Sequence, residues 1–162
     1  MWSKVYKSPC GDLLLGAIDD KICLCDWMVE GRIEKTLRRI GKYLTSESRD
    51  DETILQKAVR QLDEYFQGKL QTFELPLIFG GSEFQESVWE MLREIPYGAT
   101  ISYGEISQKL GNPSGVRAVA NAIGANPLSI IVPCHRVIGR DGGLTGYAGG
   151  LEAKKYLLDL ES

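Results

Sequence analysis

Apolar positions recur along this chain with a period that changes several times. Between residues 2 and 28, Val5, Leu13, Leu15, Ile22 and Leu24 sit in short strand-like runs, cut by Ser8-Pro9-Cys10-Gly11-Asp12 and Asp19-Asp20-Lys21. Such runs, with turn residues at the breaks, predict a β-meander. From 31 to 44 the spacing lengthens to Ile33, Leu37, Ile40 and Leu44 with basic residues between them, which predicts a helix. A polar loop from Thr45 to Asp51 follows. Ile54, Leu55, Ala58, Val59, Leu62, Tyr65 and Phe66 then predict a stronger amphipathic helix, ended by Gly68.

Leu75-Pro76-Leu77 to Gly80-Gly81 reads as a connector, so the pattern divides the chain into a small α/β domain (1–75) and a second domain (76–162). Ser82-Glu83-Phe84-Gln85 is a capping-box pattern opening a helix with Phe84, Val88, Trp89, Leu92 and Ile95 on one face, stopped by Pro96-Tyr97-Gly98. A helix from about Ser102 to Leu110, a turn at Gly111-Asn112-Pro113 and a helix from Ser114 to Ala125 predict a helix-turn-helix over about 102–125. On the second of these helices Gly115, Ala118, Ala120, Ala122 and Gly124 are all small. Two readings are open there: a helix buried all round, or one whose bare face slides into a narrow groove. Major-groove readers need long polar side chains, and this helix offers few. Ile130 to Ile138 is rich in β-branched residues and predicts a buried strand; a helix from Leu151 to Leu160 closes the chain.

The chemistry lies in that predicted strand. Pro133 interrupts its pairing, and Cys134 stands beside His135, the only histidine in the chain. A thiolate is a strong nucleophile when a base takes its proton. Adjacent residues of an extended strand point to opposite faces, so a water would bridge the two groups. Buried packing is the plainer role for a lone cysteine.

Composition changes the picture in two places. Four cysteines in a chain with neither a secretion signal nor a membrane-length apolar run predict reduced thiols and a cytoplasmic protein. Cys10, Cys23 and Cys25 read as packed strand residues and no metal site is expected, because Cys-x-Cys lacks the usual ligand spacing. The net charge of −3 argues against a coat-like DNA binder. Between Glu105 and Asp141, however, there is no acidic residue, while Lys109, Arg117, Arg136 and Arg140 predict a locally positive face.

Pro133-Cys134-His135-Arg136-Val137, with Arg117-Ala118-Val119 before it and Gly146-Tyr147-Ala148-Gly149-Gly150 after it, resembles the O-6-alkylguanine-DNA alkyltransferases of the bacterial, single-function type. Ile95-Pro96, Thr100 and Ser102-Tyr103-Gly104 extend the likeness, which runs from about residue 54 to the C-terminus. The resemblance implies a ribonuclease H-like sheet plus helices in the first domain and a mostly helical, winged-helix-like second domain. It implies a suicide methyltransferase that flips alkylated guanine out of duplex DNA and moves the alkyl group to Cys134, once, through a Cys134–water–His135–Glu161 relay. From sequence alone Glu161 would be a solvated terminal residue.

By the same resemblance Asn126 braces the active-site strand and Tyr103 donates a proton to the leaving guanine, where pattern alone gives a helix stop and a half-buried tyrosine. Arg117 would fill the gap left in the base stack. DNA contacts are implied at Tyr103, Gly104, Asn112, Ser114, Ala118 and Arg140, through the minor groove, and Ser129, Val137, Tyr147 and Ala148 would line the base pocket. No cofactor and no obligate protein partner are implied, and a monomer is expected. A non-catalytic lesion-binding protein, an alkylation-sensing regulator and a cysteine hydrolase are the rival readings.

Overall fold

The second hairpin of the chain, over residues 11–27, closes where two consecutive aspartates, Asp19 and Asp20, take left-handed backbone angles (φ 53° and 62°). That geometry suits a two-residue hairpin, whose twist matches the strands it joins. In the computed structural model, which describes residues 1–45 and 52–162, β1 (Trp2–Ser8), β2 (Gly11–Ile18) and β3 (Lys21–Trp27) form an antiparallel sheet in the order β1-β2-β3. Apart from Thr45, the expected polar loop lies outside the described residues.

The chain divides into two compact units, Met1–Gly81 and Ser82–Ser162. In the first, β3 is buried from Ile22 to Trp27. α1 (Arg32–Tyr43) lays Ile33, Leu37 and Ile40 on a cluster with Ile18, Cys23 and Leu24. α2 (Glu52–Phe66) buries Leu55, Ala58, Leu62 and Tyr65, and Asp63 accepts a 2.7 Å bond from the Tyr6 hydroxyl. The stretch read as a connector is tied to the sheet: Ile22 N–H donates to Pro76 O (2.8 Å) and Ile78 N–H to Ile22 O (3.0 Å). Leu77 thus lies parallel to Ile22, beside β3. Cys23 and Cys25 are fully buried as expected of packed strand residues, but Cys10 is not in a strand; it sits in the β1–β2 turn beside Ser8.

The second unit opens with α3 (Glu83–Leu92), where both halves of the Ser82/Gln85 capping box are formed. Its face differs from the sequence pattern at one end: Val88, Trp89 and Leu92 are buried, but Phe84 is 40% exposed. A side chain in the first turn precedes the crossing with the rest of the core. Trp89 is fixed by donating Nε1–H to Ala122 O (2.8 Å). β4 (Ile101–Ser102) runs into α4 (Tyr103–Lys109), whose N-cap is Ser102, and α5 (Val116–Gly124) follows a turn built on Gly111. Ser107 holds that turn by accepting Asn112 N–H at its carbonyl and donating its hydroxyl to Asn112 O.

The expected strand over 130–138 is the main departure. Only β5 (Val137–Ile138) forms a strand, paired in parallel with β4, and Val132 makes a single isolated bridge to Ser129. Cys134 to Arg136 form a single 3-10 turn, and Ile130 has φ 72°. Apolar β-branched composition reports burial as much as extension. Here all of residues 130–137 are buried, yet a proline and tight loop hydrogen bonds replace the ladder. α6 (Leu151–Glu161) ends the described chain, and among the described residues no helix is long and apolar enough to cross a membrane.

Candidate active site

The site is built on the loop between α5 and β5. Asn126 is fully buried and clamps both ends of a tight bend, accepting Leu128 N–H at Oδ1 (3.0 Å) and donating Nδ2–H to Val132 O (2.9 Å). It therefore braces the segment that carries Cys134, in addition to stopping the helix. Between its two partners Ile130 sits in the left-handed region, where a β-branched side chain is strained.

Placing Cys134 and His135 in a 3-10 turn changes their relation from that of strand neighbours. The His135 ring is completely buried, and its Nε2 lies 2.7 Å from Glu161 Oε2. An ionised carboxylate only accepts, so His135 donates from Nε2 and keeps its lone pair on Nδ1. Among the described residues Nδ1 has no hydrogen-bond partner. Burial lowers the histidine's pKa below its ordinary value, outweighing the bond to Glu161, which pulls the other way. The ring is thus held neutral, with a basic nitrogen available.

Glu161 is no frayed terminus: it is 6% exposed and is the centre of the network. Arg136 binds it through Nε (2.8 Å) and Nη2 (3.1 Å), and Gly98 N–H reaches Oε1 (3.3 Å). Arg136 also donates to Ile95 O (2.7 Å) and lies over the Tyr97 ring. The locally positive face expected from sequence therefore loses Arg136, which is buried and neutralised; Lys109, Arg117 and Arg140 are exposed.

Lys154 is a further residue the sequence pattern did not single out. It is fully buried, donating to Val137 O (2.7 Å) and Thr145 O (3.0 Å). Burial lowers its pKa, while nearby Cys134 favours its charged form. Through these two bonds the lysine staples the 139–150 loop to β5. Its sequence signal was faint: a lysine in mid-helix looks like solvent-facing surface.

Of the expected pocket residues, Ser129 and Val137 are fully buried, and Tyr147 and Ala148 are half-buried. The Ser129 hydroxyl has no hydrogen-bond partner among the described residues. Cys134 itself is 6% exposed. Tyr103 and Gly104 open α4 and are half-buried; Asn112 is half-buried in the turn, with its side chain against Gly115; Ser114 is exposed.

α5 is not buried all round. Val119, Ala122 and Ile123 face the core, while Arg117, Ala118, Asn121 and Gly124 are exposed. Ala122 thus leaves the bare face that the sequence assigned to it, because it packs where its carbonyl meets Trp89. What remains outward is Val116 and Arg117 at the start, followed by Ala118, Asn121 and Gly124.

Family comparisons agree with this layout. The model described as "6-O-methylguanine DNA methyltransferase, ribonuclease-like domain" matches residues 1–79, and "6-O-methylguanine DNA methyltransferase, DNA binding domain" matches residues 83–162. A methylated-DNA–protein-cysteine methyltransferase of Methanosarcina acetivorans is 43% identical over 161 residues, covering 99% of this chain and 98% of that protein. The crystal structure of Mycobacterium tuberculosis O6-methylguanine methyltransferase matches with a TM-score of 0.81 and 40% identity, covering 98% of this chain and 91% of that one. The structure of Mycobacterium tuberculosis OGT in complex with DNA matches at 0.80, with the same identity and coverage.

Proposed function

This chain belongs to the 6-O-methylguanine DNA methyltransferase family, and on that premise we propose that it repairs alkylated guanine in DNA by moving the alkyl group onto Cys134. The observation that carries the assignment to this residue is the buried His135, neutral and oriented by Glu161, next to the cysteine in a 3-10 turn.

The Cys134 proton passes through a bridging water to His135 Nδ1, and Glu161 stabilises the resulting imidazolium through Nε2–H. Sulfur attacks the alkyl carbon; the carbon–sulfur bond forms as the carbon–oxygen bond breaks, and the electron pair leaves with guanine. Tyr103 supplies a proton to that guanine and regains one from solvent, while the imidazolium returns its own proton to solvent. The product is a thioether that no group in this mechanism reverses, so one molecule repairs one lesion.

The lesion atom faces into the duplex, and the base must be extruded, at a cost of a few kcal/mol. Arg117, exposed at the start of α5, fills the gap in the stack, and Ala118 and Gly124 let the helix backbone approach a minor groove. Gly104, Asn112, Ser114 and Arg140 touch the DNA around it. Ser129, Val137, Tyr147 and Ala148 form the base pocket, in which the Ser129 hydroxyl gains a partner. The protein acts as a monomer and needs no cofactor.

Intact mass after mixing with a methylated-guanine oligonucleotide tests the reading. The chain should gain one methyl group and Cys134→Ala none, while Cys134→Ala still binds the DNA. No gain in the parent protein would leave a lesion-binding protein; transfer persisting through Cys10, Cys23 or Cys25 would remove Cys134 from its role.

A further inference from the structure

The unit that carries the active site is slightly acidic overall. It holds seven cationic side chains against nine carboxylates, and two of the seven, Arg136 and Lys154, are buried. The largest concentration of positive charge lies in the other unit. α1 has five cations, Arg32, Lys35, Arg38, Arg39 and Lys42, against one carboxylate, Glu34, in a chain of net charge −3. Lys35, Arg38, Arg39 and Lys42 fall at i, i+3, i+4 and i+7, which places them on one face. Lys35, Arg38 and Lys42 are exposed, and Arg39 is half-buried beside Arg32 and Asp26. Among the described residues Lys35 and Arg38 form no ion pair.

Like charges at these spacings repel, and Lys35 near the helix N-terminus also opposes the helix dipole. Helix stability alone therefore selects against this row. The opposite face of α1 is anchored in the sheet through Ile33, Leu37 and Ile40, so the cations project from a fixed element. Exposed Tyr43 ends the row with the Lys42 ammonium over its ring at 5.5 Å. Seven residues of helix span about 10.5 Å, enough for the row to follow successive phosphates of one strand.

We propose that α1 is a second DNA-binding face, on which Lys35, Arg38, Arg39 and Lys42 hold duplex phosphates without reading sequence. The choice of DNA as the ligand rests on the family function; the site itself rests on the charge pattern.

The test is the salt dependence of binding of the full chain to undamaged duplex, comparing the parent with Lys35→Gln/Arg38→Gln/Lys42→Gln and with Lys4→Gln/Lys7→Gln/Lys21→Gln. The second variant removes three exposed charges from the same unit without touching α1. Each phosphate contact contributes about 0.9 to the slope of log affinity on log salt, so the α1 variant should lose roughly 2–3 units and the control less than about half a unit. Equal slopes in all three proteins, or equal losses in both variants, would overturn the proposal. Methyl transfer to Cys134 at saturating lesion DNA is measured alongside: it should be unchanged in the α1 variant. A parent that transfers methyl but shows no α1 effect refutes only this face, whereas a parent that transfers none refutes the repair function.

Discussion

Glu161→Gln tests the buried network most severely. The parent carboxylate receives His135 Nε2–H at 2.7 Å, Arg136 Nε–H at 2.8 Å and Arg136 Nη2–H at 3.1 Å, and is 6% exposed. The amide keeps the shape but removes the charge, leaving the Arg136 guanidinium, 7% exposed, without a counter-charge. Removing one partner of a buried pair costs about 3–5 kcal/mol. That is a large share of the roughly 5–15 kcal/mol that holds a typical domain folded. At about 2–4 °C per kcal/mol for a chain of this size, thermal unfolding should shift down on the order of 10 °C.

The same change removes the group that orients His135 and stabilises its imidazolium, so single-turnover transfer should fall about a hundredfold or more. Stability and chemistry separate in the double variant Arg136→Met/Glu161→Gln. With no charge left unmatched, it should melt above Glu161→Gln, yet stay as slow, because His135 still lacks a carboxylate. An unchanged melting midpoint in Glu161→Gln would show that the residue is a solvated terminus after all. A double variant that recovered transfer would show that Glu161 acts only through folding.

Tyr103→Phe keeps the ring and removes the proton donor; DNA affinity should change little while single-turnover transfer falls at least about tenfold, and weaker binding with an unchanged rate at saturation would make Tyr103 a surface contact only. Arg117→Ala should slow repair in duplex DNA far more than attack on the free alkylated base, because only the duplex has a gap to fill; equal losses on the two substrates would refute intercalation. Burial lowers the His135 pKa below the ordinary 6.5, so the transfer rate should hold down to about that pH and fall below it as Nδ1 is protonated. Folding stability should follow in the same direction: the unfolded histidine takes a proton at higher pH than the folded one, so acid favours unfolding through that interval. A rate already halved above pH 7 on the acid side would contradict the neutral ring.

Much of this protein was present in one dimension. The period-two runs and helical spacings determined β1 to β3, α1, α2 and α3 because a segment's apolar positions decide which face it can bury. The Ser82/Gln85 box marked a helix start because its two hydrogen bonds are local. Cys134, Arg117 and the small residues of α5 stood out because their chemistry is unusual for where they lie. What folding alone decided depends on contacts distant in sequence. Composition made residues 130–138 a strand, whereas Asn126, Pro133 and the Cys134–Arg136 turn made them a buried loop. Glu161 and Lys154 look like surface residues of a terminal helix, and Arg136 like part of a basic face. All three are interior because α6 packs on the 3-10 turn, bringing a carboxylate 25 residues away onto Arg136 and an ammonium 17 residues away onto Val137. A charge can be buried only where its partners already wait, and no stretch of sequence shows where those partners will be.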